Sequence, residues 1–432
     1  MVRFDKPCLR VKGAVEYFRE HMGIGDYLDQ GGHAELTWFG QGAERLGLHG
    51  KCKPAEFENL CKRRHPVTGE KLTVRERGSA GRVCYFGQIS PPKDVSLACL
   101  VGGDRRIPDW WDEAVRDTLN EIEAATATRV RRNGADEDRV TGNMVAAVVT
   151  HEASRALDPQ LHTHVAILNV TFDPEENRWK SVQPSGFYKH QAFFREVCYS
   201  KLAEKLLTAG YELEPARKIG FTIKGVSPGL RDQFSKRRAQ IVRDAKAAGA
   251  VTQDAIQSIA GQNREAKVNV TAADLREGWL RQAGTDLDHL RVVIAAADGR
   301  QVVPRGVDIA TALTSGGAHL FERQSVVDER EFLREALIAG RGQVSPNELR
   351  REIAARLESK ELLRVGPDIA SRETLCAEEE FVTWADTHRH DANPLGEAPP
   401  GAALESDQAE AVASVLGSRS RVVILQGDAG TG

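Results

Sequence analysis

At 432 residues, with 41% hydrophobic and 28% charged side chains, the chain exceeds what one hydrophobic core usually organises, and two or more globular domains are expected. No uninterrupted apolar run approaches the roughly 20 residues of a membrane helix, and the start MVRFDKPCLRVK has no apolar leader, which reads as a cytoplasmic protein with no membrane segment. A formal charge of -3 gives no global signal for nucleic acid, and seven cysteines without C-x-x-C spacing argue against both a disulfide framework and a zinc ribbon.

The first 100 residues mix short strand-like runs with Gly-rich turns, and Val83 to Leu100 reads as two strand-like runs around Pro91-Pro92. Trp111, Val115, Leu119, Ile122 and Ala125 recur at helical spacing, which predicts an amphipathic helix from about Asp109 to Arg132, stopped by Asn133-Gly134. Asn143 to Thr150 and Leu161 to Val170 are apolar on both faces and suit central strands. Helices are expected from about Gln191 to Ala209, ended by Gly210, and from about Leu230 to Ala248. Strand runs followed by helices point to an α+β fold. From about residue 300 short helices dominate, one opened by Ser345-Pro346-Asn347-Glu348 as N-cap, N1 proline and capping-box glutamate; Leu362 to Val365 fits a wing strand and Asp391 to Gly401 a linker.

The chemistry concentrates in HEASRALDPQLHTHVAILN, His151 to Asn169. His162 and His164 are two apart on a strand and share a face, and Asp158-Pro159 is turn chemistry that folds the strand ending at His151 back alongside them. Three imidazoles then converge and leave coordination positions open, as a catalytic metal needs to polarise phosphorus. A bare H-x-H is more often a pair of satisfied structural residues; the third histidine at a strand end shifts the balance. Positive charge is local, at Lys62-Arg63-Arg64, at Arg129 with Arg131 and Arg132, and at Lys236-Arg237-Arg238, and a solvated face is the plainer reading of any single run.

This segment resembles the metal-binding signature of TrwC/TraI-type (MobF) conjugative relaxases of the HUH endonuclease class, in which a histidine precedes a D-P-x-L-H-T-H run. The resemblance extends to Trp38–Leu48 (WFGQGAERLGL), Ser90–Ser96 (SPPKDVS) and Thr141-Gly142-Asn143, and covers about residues 10–250. It implies an antiparallel-sheet relaxase domain covered by helices. It also implies a divalent metal ion, Mg or Mn, on His151, His162 and His164, and a tyrosine nucleophile that forms a 5'-phosphotyrosine with DNA. Tyr27, in Asp26-Tyr27-Leu28, is the expected nucleophile and Tyr17, in Glu16-Tyr17-Phe18, the second tyrosine; Phe18 and Leu28 stand where many relatives have paired tyrosines. An aspartate usual in the family upstream of SPPKDVS is replaced by Phe86, for which Asp94 and Glu152 are candidate substitutes. Lys93, Arg155, Lys236, Arg237 and Arg238 are candidate DNA contacts. The implied partners are single-stranded and hairpin DNA of a transfer origin, relaxosome accessory proteins and a coupling ATPase.

Arg421 to Gln426 reads as a buried strand, and Gly427 to Gly432 supplies the first six residues of a phosphate-binding G-x-x-x-x-G-K-[ST] loop through Gly427, Gly430, Thr431 and Gly432. The chain then reads as a fragment: a relaxase domain over 1–300, a helical, winged segment over 301–390, and a linker with a truncated P-loop helicase start over 391–432, without ATPase activity. Two alternatives remain at this stage, a rolling-circle replication initiator of the HUH class and a non-enzymatic DNA-binding remnant.

Overall fold

The structure is a computed structural model, and it describes residues 1–19, 35–73, 81–249, 271–300, 306–397 and 405–427. In chain order its first half forms β1 (Val2–Phe4), α1 (Val11–Tyr17), β2 (Thr37–Phe39), α2 (Gln41–Arg45), α3 (Pro54–Cys61), β3 (Cys84–Ile89), α4 (Lys93–Leu100), α5 (Ile107–Ala124), β4 (Ala127–Arg132), β5 (Ala135–Val140), β6 (Ala146–Ala153) and β7 (Pro159–Leu168). There follow β8 (Thr171–Asp173), β9 (Arg178–Lys180), β10 (Val182–Gln183), α6 (Ser185–Lys189), α7 (Gln191–Thr208), β11 (Leu213–Pro215), β12 (Phe221–Ile223), α8 (Pro228–Gln233), α9 (Lys236–Ala247), α10 (Ala272–Ala283), α11 (Asp286–Asp298) and α12 (Ile309–Phe321). The remainder is β13 (Val326–Val327), α13 (Glu329–Ala339), α14 (Pro346–Glu358), β14 (Leu362–Val365), β15 (Asp368–Ser371), α15 (Arg372–Thr387) and α16 (Ser406–Gly417).

The chain divides into two compact units, residues 1–316 with 330–349, and residues 317–329 with 350–432. The first is built on an antiparallel sheet in the order β1-β3-β7-β6-β2. Because side chains alternate along a strand, the two faces of this sheet have different fates. The face of Tyr85 and Thr163 lies under helices: Phe187 of α6 meets Phe4 at 5.5 Å and Tyr85 at 5.9 Å between ring centroids, and fully buried Trp111 of α5 reaches Thr163. The opposite face is covered over one half only, where Ala14 and Phe18, with Phe57, Leu60 and Cys61 of α3, pack on Cys84, Phe86, Ala147, Ala166 and Leu168. The histidines stand on the other half.

The strands Asn143–Thr150 and Leu161–Val170 appear as β6 and β7, with His151 directly opposite His162. Three expectations are corrected. The run after Pro91-Pro92 is helix α4 rather than a strand: a proline cannot donate to a sheet ladder but serves as the N-cap here, and Val95, Leu97 and Ala98 are buried all the same. The helix predicted to Arg132 ends at Ala124, and the next residues form β4, so Asn133-Gly134 is a hairpin turn instead of a helix stop. Positive φ at both residues, 51° and 84°, is what a two-residue hairpin demands and what Asn-Gly tolerates best. The helix expected over Leu230–Ala248 is two helices, α8 and α9, broken at Phe234-Ser235.

Two glycines of the Trp38–Leu48 stretch have a steric reason. A Cβ on Gly40, at φ 106°, would lie 2.3 Å from the Met144 carbonyl oxygen, and one on Gly42 would lie 2.7 Å from the same atom. The chain before β6 therefore runs against bare backbone.

In the second unit β14 pairs with β15, and β15 with β13, so Leu362–Val365 is a strand as expected. In the first unit the Ser345 cap also forms: Ser345 Oγ accepts from the Glu348 amide at 3.3 Å, and Glu348 accepts from the Ser345 amide at 2.9 Å. Arg421–Gln426 is not a buried strand. No ladder partner meets it among the described residues, and Ile424 and Leu425 are 88% and 63% exposed. No helix among the described residues is long and apolar enough to cross a membrane.

Candidate active site

β6 and β7 form a hairpin whose register sets the site. His151 and His162 face each other across the ladder, His164 lies two residues further along β7 on the same face, and the pairing shifts between His151 and Ala153 as the strand bends into the turn. The ring centroids are 5.5 Å (His151–His162), 5.2 Å (His151–His164) and 5.0 Å (His162–His164) apart. One ring nitrogen from each lies within 4.8 Å of the other two, the one such cluster of histidine, cysteine and acidic side chains among the described residues.

The donor chemistry fits a metal ion. His162 Nδ1 lies 2.8 Å from the Gln160 carbonyl oxygen, and a carbonyl only accepts, so Nδ1 carries the proton and Nε2 keeps its lone pair for coordination. Burial, reinforced by the neighbouring His151, pushes the His162 pKa down to about 4, so the ring is neutral at physiological pH, as a ligand must be. His151 and His164 are half-buried, which leaves the cluster open on one side.

The strand is also pinned from behind. Thr163, between the two histidines in sequence, points to the opposite face, where its hydroxyl receives the Trp111 indole N–H at 3.0 Å and meets the Thr150 hydroxyl at 2.8 Å. Each such bond contributes on the order of 1 kcal/mol, and an orphaned partner in this dry position costs more. The alternation in L-H-T-H was the available signal for Thr163; nothing local in the sequence names Trp111 as its partner.

Of the two tyrosines, Tyr27 lies outside the described residues. Tyr17 ends α1 beside the cluster: its ring is edge-on to His164, with centroids 6.5 Å apart, and stacks on Phe86 at 3.9 Å and 29°. Phe86 sits opposite Ala166, two residues from His164. Of the acids considered as substitutes for a carboxylate there, Asp94 is buried on α4 and accepts from Arg231 and the Ile223 amide, both at 2.8 Å. Glu152 adjoins His151 and pairs with Arg276 at 3.3 Å.

The basic candidates are distributed unevenly. Arg155 is exposed on the β6–β7 turn and Arg238 is exposed on α9. Arg237, half-buried, donates to Gln240 at 2.9 Å. Lys236 joins its helix to that turn: its amide donates to Asp158 at 2.8 Å, and its Nζ lies 3.7 Å from Asp158 and 2.8 Å from Gln282. Lys93 is turned inward, donating to the Pro159 carbonyl at 3.0 Å, and burial lowers its pKa to about 8 against the opposing pull of Asp158. Gly427 is described; Gly430, Thr431 and Gly432 lie outside the described residues.

The chain is similar to known proteins. The multifunctional conjugation protein TraI of Escherichia coli strain K12 is 32% identical over 306 residues, covering 66% of this chain and 17% of its own. The chain thus spans about a sixth of the length of that relative. Among solved structures, metal-bound conjugative relaxase TrwC in complex with OriT DNA is 30% identical with a TM-score of 0.58, covering 66% of this chain and 97% of that one. TrwC with a 27-mer DNA comprising the recognition hairpin and the cleavage site is 28% identical with a TM-score of 0.57, over 67% of this chain and 99% of that one. The sequence pattern of the TrwC relaxase family matches residues 11–285, which hold β2, β3, β6 and β7 of the sheet, the three histidines and both tyrosines, and the chain belongs to that family.

Proposed function

We propose that the first unit nicks and rejoins single-stranded DNA at a transfer origin by metal-assisted tyrosine transesterification. The observation that carries this reading is the convergence of three imidazoles with a tyrosine ring edge-on to one of them. A divalent ion, Mg or Mn, held by His151, His162 and His164, would supply Lewis-acid polarisation of the scissile phosphate. The chain's own residues do the rest. Tyr17, the described tyrosine at the cluster, attacks phosphorus through its phenol oxygen; the bond to the 3' oxygen breaks, and a 5'-phosphotyrosine and a free 3'-hydroxyl result. The ester keeps its energy, so the reverse attack by a 3'-hydroxyl rejoins the strand without ATP. Tyr27 is the second tyrosine in this reading and takes a later strand transfer, which reverses the order expected from sequence. The likeness to TrwC–OriT DNA complexes supports hairpin and single-stranded DNA as the substrate, and the exposed Arg155, on the β6–β7 turn, and Arg238, on α9, are the phosphate contacts of this reading.

The proposal divides the chain into the relaxase domain to about residue 300, a helical, winged segment over 301–390, and the start of a P-loop domain over 391–432. Accessory proteins and a coupling ATPase belong to this reading as partners of the longer assembly.

Phe86 in place of a carboxylate favours a second reading, a DNA-binding remnant without chemistry. Incubation with labelled single-stranded oligonucleotides from the replicon's transfer origin and divalent metal separates them. A covalent protein–DNA band is expected; binding without a band, with the oligonucleotide uncut, would establish the remnant.

A further inference from the structure

We propose that Phe86 is the positioning residue for the attacking tyrosine, fixing the Tyr17 ring over the histidine cluster by face-to-face stacking; this rests on the reading of Tyr17 as nucleophile. Phe86 stands on β3, whose six residues pair in unbroken register with β7, Phe86 opposite Ala166 and Gln88 opposite His164. The root of its ring is therefore held in a fixed relation to His164, and the residue is only 6% exposed.

Tyr17 has no such backbone anchor. It is the last residue of a seven-residue helix that belongs to no sheet, and it is half-buried against the cluster that includes Phe86. The helix end is held by the next residue, Phe18, stacked on Phe57 with centroids 4.0 Å apart and an interplanar angle of 26°. That contact locates the helix end, and the Tyr17 ring takes one of its staggered rotamers beyond it. The Phe86 face, 3.9 Å away at 29°, selects the one that turns the ring edge-on to His164 at 76° and 6.5 Å. Two adjacent stacked pairs thus divide the work, one locating the helix and one aiming the phenol.

A packing role alone would contribute to stability whatever the orientation of the Tyr17 ring. A positioning role appears in the rate of attack, because a nucleophile held near its line of approach has already lost the rotational freedom that the reaction requires it to lose. No covalent step and no proton transfer is assigned to Phe86.

The test uses the full chain, Mn(II) and a labelled single-stranded oligonucleotide from the transfer origin, and compares Phe86→Leu and Phe86→Met, which remove the ring, with Phe86→Tyr, which keeps it. The ring-less variants are expected to form the covalent adduct about tenfold more slowly in single turnover, equivalent to about 1.4 kcal/mol, with oligonucleotide Kd and Mn(II) affinity unchanged. Phe86→Tyr should stay within about twofold of the unaltered protein. With 3-fluorotyrosine at position 17, the fluorine resonance should lose its ring-current shift in Phe86→Leu and keep it in Phe86→Tyr. Methionine preserves volume should leucine impair folding. Adduct mapped to Tyr17 with unchanged rates in Phe86→Leu or Phe86→Met overturns the stacking proposal alone; adduct mapped to another residue overturns the nucleophile reading and this proposal with it.

Discussion

His151 and His162 are a register pair, directly opposite one another on β6 and β7, and their rings stand 5.5 Å apart on the same face as His164. Two imidazoles come from one strand and the third from its neighbour, so the site depends on pairing and not on loop conformation. His162→Ala or His164→Ala is expected to abolish cleavage with little change in DNA affinity, which comes from basic and stacking contacts. Calorimetric titration with Mn(II) beside a gel assay for nicking checks this; retention of both metal and cleavage would remove the histidines from the mechanism.

Tyr17→Phe is expected to eliminate the first covalent adduct while fold and DNA affinity persist, because the ring that stacks on Phe86 remains and only the hydroxyl is lost. Tyr27→Phe should leave first-strand adduct formation and impair a second transfer. Mass spectrometry of the DNA-linked peptide distinguishes them, and an adduct in the double variant would exclude tyrosine chemistry.

The buried His162 makes the metal-free protein sensitive to acid. Its pKa is about 4 in the fold against 6.5 for an ordinary imidazole, so the unfolded chain takes up a proton first as pH falls. The contribution to stability is fully present above 6.5, declines as pH drops toward about 4, and then levels off; on the order of 3 kcal/mol is the most this shift supplies. Urea midpoints of chelator-treated protein and of His162→Gln at pH 7 and pH 5 isolate it. The difference between the two proteins should shrink at the lower pH, and a difference that grows would contradict the assignment.

Gly40→Ala tests the approach of the chain to β6. The new methyl group would meet the Met144 carbonyl oxygen at 2.3 Å, at a φ of 106° that L-residues avoid, so a loss of roughly 2–4 kcal/mol is expected from chemical denaturation. A neutral result would mean that this backbone shifts freely.

Binding to single-stranded DNA should weaken with salt at a log-log slope of about -4 if roughly six phosphates are contacted, and replacing Lys236, Arg237 and Arg238 by glutamine should bring it to about -2. Lys236 is partly engaged by Asp158 and Gln282, so most of the change should follow Arg237 and Arg238. Fluorescence anisotropy at several salt concentrations measures it, and an unaltered slope would make the cluster a solvated face.

The histidine site was legible because its information is local: H-x-H fixes a face, Asp158-Pro159 supplies the turn, and the apolar runs either side define paired strands. Trp111 was legible as a buried helix residue but not as the hydrogen-bond partner of Thr163, which lies 52 positions away. The misreading of Thr126–Arg132 as helix arose because helical spacing up to Ala125 gives no sign of where it stops, whereas Asn133-Gly134 marks a hairpin as readily as a helix end. Arg421–Gln426 has strand composition, yet a strand exists only with a partner, and composition carries no partner. The engagement of Lys93 by Pro159 and the stacking of Phe86 on Tyr17 are tertiary facts that no spacing rule encodes.

The Trp111–Thr163–Thr150 chain behind β7 bears on how the site can fail. A slip of β7 by one residue would turn His162 and His164 into the helical layer, bring Thr163 to the open face and strand the Trp111 indole N–H without an acceptor. That misregistered hairpin would lose both polar contacts of Thr163 and the placement of two histidines together, so it lies above the native pairing in free energy. The histidine triad depends on the same register that holds the sheet, so an ion bound there should raise the stability of the first unit and not of the hairpin alone.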